Sequence, residues 1–388
     1  MQTQKLYYQD CHRKEFSARV VSCVPSEKGW NVVLDTTAFY PEGGGQACDL
    51  GVLGNANVLL VRESGEEVVH LCDKPLPVGE CVTGTIDWNR RFDLMQQHTG
   101  EHIVSGLIHK YFGYHNTGFH VGDHVMEVDF SGPIPTEMLA RIEREANEAV
   151  WANLPLKCWI PSPEELPTVT YRTKRELPWP VRIVQIPGTD SCACCGVHVK
   201  YTGEVGVIKI LSCVKVHGGI RLEMVCGRRA YDWYCTVFEE NRQVSQAFSA
   251  KITETGEAAR KINAQLSVEK FRSAGLEKQL LQHTAAGYAG KNAPVLRFDR
   301  DLSGGSLREL AVMIAESCGN TAAVLSETEG GFDVCVASPG QDIKALGAAI
   351  AKALDGRGGG KPGFYQGKVR CGRREATDFF REQGFLTE

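Results

Sequence analysis

Through the first 89 residues, apolar positions come in short runs, many of them β-branched, separated by Gly, Pro, Asn and Asp. The runs 18–23, 30–34, 58–61 and 67–71 therefore predict strands of a small barrel-like or sandwich domain. From 90 to 113 the period lengthens. Phe92, Met95, Ile103, Leu107 and Tyr111 recur at roughly helical spacing, with Gly113 as the stop. A second helix is predicted over 135–152, where Met138, Ile142, Ala146 and Val150 repeat every four residues. Strands return at 181–186 and 206–216, so the middle of the chain reads as α+β. Residues 231–283 form a proline-free helical stretch whose heptad is broken, a connector or imperfect hairpin more than a coiled coil. After a turn-rich break at 287–294, the segments 295–298, 306–317, 322–326, 334–337 and 342–354 alternate between strand-like and helical. The expected fold is α+β in four parts: a β-rich, barrel-like 1–89, a central α+β 90–230, a helical connector 231–289 and a small α/β domain 290–388.

With 388 residues, 43% hydrophobic and 23% charged, the chain is too long for one simple core. It lacks any run of about 18 apolar residues, and MQTQKLYYQDCHRKEF has no secretory apolar stretch, so a cytoplasmic protein without a membrane partner is expected. In a reducing compartment the 15 cysteines are thiols or metal ligands, not a disulfide framework. A formal charge of −4 exerts no global pull on a polyanion. Any nucleic-acid contact must come from local basic patches.

His98 and His102 in QQHTGEHIVSGL are four residues apart within the predicted helix. That spacing stacks both imidazoles on one face, within reach of one ion. DSCACCGVHV repeats the spacing with Cys194 and His198. Three imidazoles and a thiolate are a typical tetrahedral donor set for Zn²⁺, one ion per chain. Spacing does not choose Cys194 over Cys195 as the sulfur ligand, and Cys192 and Cys195 can be surface thiols. HTGEH also satisfies the H-x-x-E-H pattern of inverted zinc peptidases, with Glu101 as general base. That reading needs a downstream carboxylate ligand, whereas the sequence offers a Cys–His pair. A non-enzymatic RNA-binding protein with a structural zinc is the remaining alternative.

LDTTAFYPEGGGQACDLG (34–51), HTGEH, CCGVH, YTGEVGVIKI (201–210), HGGIRLEMVCG (217–227) and GRGGGKPGFYQGK (356–368) occur in that order. Together they resemble the alanyl-tRNA editing proteins of the AlaX type, long form, which are similar to the editing and C-terminal parts of alanyl-tRNA synthetase. The resemblance implies an aminoacyl-tRNA hydrolase, zinc-dependent, that clears serine or glycine from mischarged tRNA(Ala). It places the glycine-rich motif in 1–89, the editing domain in 90–230 and a tRNA-binding domain in 290–388, in a chain able to form a homodimer through its helical and C-terminal parts. About 90 mainly β-type residues precede the metal helix, so no aminoacylation domain is expected upstream and the protein would act in trans. Gly100 and Glu101 stand where the family often has a small residue or threonine. Cys195, Gly196 and Val197 stand where it usually has Gly-Gly-Thr. These departures leave the ligands intact and withdraw support for a role of that threonine.

A synthetase pocket distinguishes alanine from serine or glycine by one hydroxyl or one methyl, worth about 1–3 kcal/mol, or roughly 10–200-fold. A second, hydrolytic sieve is the physical remedy. Thr117 in HNTGFHVGDH falls near a hydroxyl position that the family uses and is the expected partner of the serine side chain. Gly43, Gly44 and Gly45 would let backbone approach the ligand, with Gln46 placed to hydrogen-bond it. By the resemblance, these four residues shape the editing pocket. The sequence indicates no general base, and four protein ligands leave the position open to water or substrate undefined. In 356–374, Arg357, Lys361, Lys368, Arg370, Arg373 and Arg374 stand without a carboxylate, beside Phe364 and Tyr365. Cations contact phosphates and aromatics stack on bases, and the resemblance assigns this region to the tRNA elbow.

Overall fold

The computed structural model describes residues 2–173, 177–216 and 218–387. The chain divides into two compact units, Met1–Gln243 and Val244–Glu388. In the first, the strands Glu15–Ser26, Gly29–Leu34, Glu67–Cys72, Ala56–Ser64, Gly51–Leu53 and Cys81–Ile86 close in that order into a barrel. Strand alternation fills it: Phe16, Ala18 and Val20 are buried while Ser17 and Arg19 are exposed. Closure leaves no open edge, and Val32, Leu34, Phe39, Leu53 and Val61 complete the interior.

The Trp88–Phe112 helix follows the barrel directly. Asp87 caps it by accepting from Arg90 N at 3.2 Å. Gly113 ends it in left-handed backbone, φ 68°, where the missing Cβ removes the clash. Every residue from Leu94 to Ile108 is buried. It is a core helix rather than an amphipathic surface helix, and its polar side chains, both histidines included, must find partners inside. Around it lie the Thr136–Trp151 helix and two sheets. One orders Ile208–Val216, Gly219–Cys226, Met126–Phe130 and Asn116–Val121; the other orders Lys157–Trp159, Ile183–Ile186 and Asp190–Ala193.

Helix and barrel are locked together by Arg91 and Asp49, whose side chains are fully buried. Arg91 Nε donates to Asp49 Oδ1 at 2.8 Å, Nη1 donates to Cys11 O at 3.0 Å, and Nη2 bonds both Asp49 Oδ2 and Ala38 O. Tyr40 N donates to the same carboxylate. Breaking such a pair strands a buried charge, at a cost of about 3–5 kcal/mol. The loop that carries Gly43–Gln46 is thereby held against the helix that carries His98.

The stretch expected as a helical connector or imperfect hairpin is two helices, Gly227–Ala247 and Thr255–Ala286, interrupted where Ser249 takes φ 49°. In the second unit a six-stranded sheet runs Arg357–Lys361, Phe364–Val369, Gly331–Ala337, Ala322–Thr328, Val295–Asp299, Leu386–Thr387. One core gathers Leu281, Leu307, Leu310, Val324 and Cys335, and the other gathers Leu325, Val334, Ile350 and Phe380. The α+β class expected from periodicity is the class observed. Apolar periodicity had not revealed the strands Asn116–Val121, Asp190–Ala193 and Gly219–Cys226. His217, which opens one expected motif, lies outside the described residues. Among the described residues no helix is long and apolar enough to cross a membrane.

Candidate metal centre

The Asp190–Ala193 strand pairs with Ile183–Ile186 and delivers the 194–198 turn to the buried helix. Cys194 N donates to Arg182 O at 3.0 Å. Arg182 Nη1 returns bonds of 2.8 Å to the carbonyls of Cys194 and of Gly196. So shaped, the turn places Cys194 Sγ 3.4 Å from His98 Nε2 and 3.4 Å from His198 Nε2. The donor atoms of His98, His102, Cys194 and His198 all lie within 4.8 Å of one another. A tetrahedral Zn²⁺, with Zn–S of about 2.3 Å and Zn–N of about 2.0–2.1 Å, would hold S and N about 3.6 Å apart. The residues fit that ion in both donor chemistry and spacing. Cys195 is exposed, and the bond it makes here is through its carbonyl, which accepts from Tyr8 Oη at 2.9 Å.

Each imidazole is fixed through its other nitrogen. His98 Nδ1 lies 2.7 Å from Gln46 Oε1, His102 Nδ1 3.0 Å from Asp190 Oδ2, and His198 Nδ1 3.2 Å from Thr99 Oγ1. An amide oxygen and a carboxylate only accept, so His98 and His102 carry a proton on Nδ1, which leaves Nε2 as the atom to meet a shared ion. Arg172 grips Asp190 in turn, Nε to Oδ1 at 2.6 Å and Nη2 to Oδ2 at 2.8 Å. Burial raises the Cys194 thiol, but the neighbouring His98 and His102 outweigh it and hold the group well below the ordinary thiol value. The thiolate is the metal-binding form. Burial, with the His98 imidazole packed beside it, pushes His198 down to about 3, so it stays neutral. Sequence reasoning missed Asp190, Arg172 and Thr99. The one available signal was chemical: a ligating histidine needs an acceptor for its second nitrogen, and Asp190 stands just before the cysteine turn. Asp190→Asn is expected to weaken zinc binding about 10–100-fold in a chelator competition; unchanged affinity would show that His102 is held without the carboxylate.

A cavity of about 480 Å³ opens beside His98, His102 and Cys194, with Gly44, Gly45, Glu101, Asn116, Phe119 and Arg182 in its wall. Gly45 has φ 81°, and a Cβ on it would lie 2.4 Å from Phe119 Cδ1, so the glycine-rich motif can turn this close to the Asn116–Val121 strand only without a side chain. Gly43 and Gln46 exchange backbone bonds of 3.1 and 3.0 Å. Gln46 Oε1 is engaged with His98, while its buried Nε2 has no hydrogen-bond partner among the described residues. Thr117, the expected reader of serine, is exposed and is not one of the cavity's lining residues. A β-bulge leaves Thr117 without a cross-strand partner, between the pairs Gly118–Asp129 and Asn116–Phe130, and it is Asn116 that is buried there.

In the second unit, Arg357, Lys361, Lys368, Arg370, Arg373 and Arg374 are all exposed. Three of them have acidic neighbours: Lys368 with Asp333 at 3.3 Å, Arg373 with Glu327 at 3.8 Å and Arg374 with Asp378 at 3.9 Å. Tyr365 is buried in the core, out of reach of a base, and Phe364 is half-buried with the Arg308 guanidinium 4.7 Å over its ring.

Residues 181–222, which include Cys194 and His198, match the family described as threonyl and alanyl tRNA synthetase second additional domain, and residues 3–90 match tRNA synthetases class II (A). The first unit is therefore of the class built from synthetase-related domains. The chain is 31% identical to the alanyl-tRNA editing protein Aarsd1 of Mus musculus, over 96% of this chain and 95% of that one. It is 30% identical to the protein of that name from Danio rerio, over 97% of each. It also matches alanine–tRNA ligase of Ignicoccus hospitalis at 31% identity, over 74% of this chain but 31% of the ligase. The chain belongs to the alanyl-tRNA editing proteins.

Proposed function

We propose that this protein hydrolyses tRNA(Ala) mischarged with serine or glycine, acting in trans, with one Zn²⁺ held by His98, His102, Cys194 and His198. The observation that carries this reading is the convergence of those four donors beside a cavity, in a chain similar to editing proteins over nearly its whole length. The last two donors are a thiolate and an imidazole, not the carboxylate that an H-x-x-E-H peptidase brings, which favours editing over proteolysis. Zinc held there supplies Lewis acidity for ester hydrolysis. In that reaction a water oxygen bonds to the acyl carbon, the ester bond to the terminal ribose breaks, and the ribose oxygen takes a proton. Gln46, Asp190 and Thr99 keep the imidazoles aimed, while Gly44 and Gly45 let backbone approach the acyl group.

The segments divide the work: 1–89 shapes the pocket, 90–230 carries the centre, 231–289 connects, and 290–388 grips the tRNA. The exposed cations from Arg357 to Arg374 contact phosphates, and the glycines of the Arg357–Lys361 edge strand permit close approach. The Thr255–Ala286 helix exposes Ile262, Leu266, Phe271, Leu276 and Leu280, apolar surface that a second copy would cover in a homodimer. Fifteen free cysteines suit a reducing, cytoplasmic location.

Purified protein should carry about one zinc per chain and release serine from Ser-tRNA(Ala) while sparing Ala-tRNA(Ala). Intact seryl ester after incubation with zinc-loaded protein would overturn the reading. Replacing Arg357 and Lys361 by alanine should weaken tRNA binding and flatten the plot of log K against log salt by about 1.4–1.8, the share of two phosphates. A slope equal to that of the unsubstituted protein would remove these residues from the interface.

A further inference from the structure

Asn116 is 7% exposed and lines the cavity, yet its Oδ1 has no hydrogen-bond partner among the described residues. Its orientation is imposed by its neighbours. Nδ2 donates to Glu101 Oε1 at 2.6 Å, and Ser105 Oγ donates to that same oxygen at 2.5 Å. A carboxylate only accepts, so Asn116 must present its NH₂ to Glu101 and is left with an unused carbonyl acceptor. The other Glu101 oxygen stands 3.9 Å from His102 Nε2, so this small network adjoins the metal donors. Buried polar atoms without partners are rare, and one in a cavity wall calls for a ligand donor.

We propose that Asn116 Oδ1 accepts the side-chain hydroxyl of a β-hydroxy aminoacyl ester, and that Glu101 and Ser105 are positioning residues that hold the amide in its accepting orientation. The proposal rests on the editing reading and names the atom that recognises serine. Alanine and glycine have no hydroxyl to offer it. The role expected of Thr117 passes to the adjacent residue because the strand bulges at Thr117, the residue left unpaired between Gly118–Asp129 and Asn116–Phe130, so that Thr117 is exposed and Asn116 is buried in the cavity wall.

The test is deacylation of Ser-tRNA(Ala) and Gly-tRNA(Ala) by the zinc-loaded full chain. Asn116→Ala should lower kcat/KM for the seryl ester about tenfold or more, while the glycyl ester changes by less than about threefold. Glu101→Gln is nearly isosteric, but a neutral amide no longer compels Asn116 to donate. It should keep zinc and still lower the seryl-to-glycyl ratio about threefold or more, and it decides the matter if Asn116→Ala loses zinc or unfolds. Equal losses on both esters with zinc retained, or a seryl-to-glycyl ratio unmoved in the variants that fold, would overturn the inference and leave the editing reading standing. Failure of the unsubstituted protein on both esters would overturn the two together.

Discussion

Cys194→Ala should cost the protein its zinc and, with it, about a hundredfold or more of its deacylation rate. The thiolate is the one anionic donor of the four, and its sulfur lies 3.4 Å from two of the imidazole nitrogens. Alanine would leave three neutral donors around a dication in a buried site, where charge compensation matters most. The adjacent thiol cannot take over, because Cys195 is exposed and contributes no atom to the donor cluster. Cys195→Ala is accordingly the control and should keep both zinc and rate. Atomic absorption on the purified variants, with serine release measured in parallel, checks the pair. Full zinc occupancy in Cys194→Ala, or its loss in Cys195→Ala, would exchange the roles of the two cysteines.

Gly196→Ala is expected to be nearly as damaging, although it removes no ligand. A Cβ at this position would lie 2.1 Å from His98 Cε1, 2.4 Å from His98 Nδ1 and 3.1 Å from Gln46 Oε1. Neither side of the clash gives way easily. His98 is buried on the core helix and bonded to Gln46, while Arg182 pins the turn through the carbonyls of Cys194 and Gly196. Either His98 rotates off Gln46, or the turn retreats and takes Cys194 and His198 with it. Zinc affinity should fall about 10–100-fold, the range expected when the partners that orient a ligand are disturbed. Circular dichroism should show little change, because the displaced atoms lie in a turn. Affinity equal to that of the unsubstituted protein would mean that the turn relaxes freely.

Much of the centre was legible before any fold was known, because its halves are local. His98 and His102 are brought together by the helical period alone, and Gly113 ends the helix through its own backbone freedom. Cys194 and His198 are joined by one turn. The alternating runs of 1–89 likewise report their own inward faces. What stayed hidden depended on residues distant in sequence meeting across a core.

The choice of Cys194 over Cys195 follows from where the Asp190–Ala193 strand stops against a helix some 90 residues earlier. The aim of the imidazoles comes from Gln46 and Asp190, which are 52 and 88 residues from the histidines they hold. Thr117 and Asn116 differ by one step along a strand that pairs with Met126–Phe130 and bulges at Thr117, and a bulge changes which side chain faces inward. Tyr365 was removed from the basic surface by side-chain alternation along the Phe364–Val369 strand. Residue spacing alone determined which donors could share an ion. Only the closed core decided which sulfur lies beside the imidazoles, how each imidazole is aimed and which side chain lines the cavity, since these depend on long-range packing that no local period encodes.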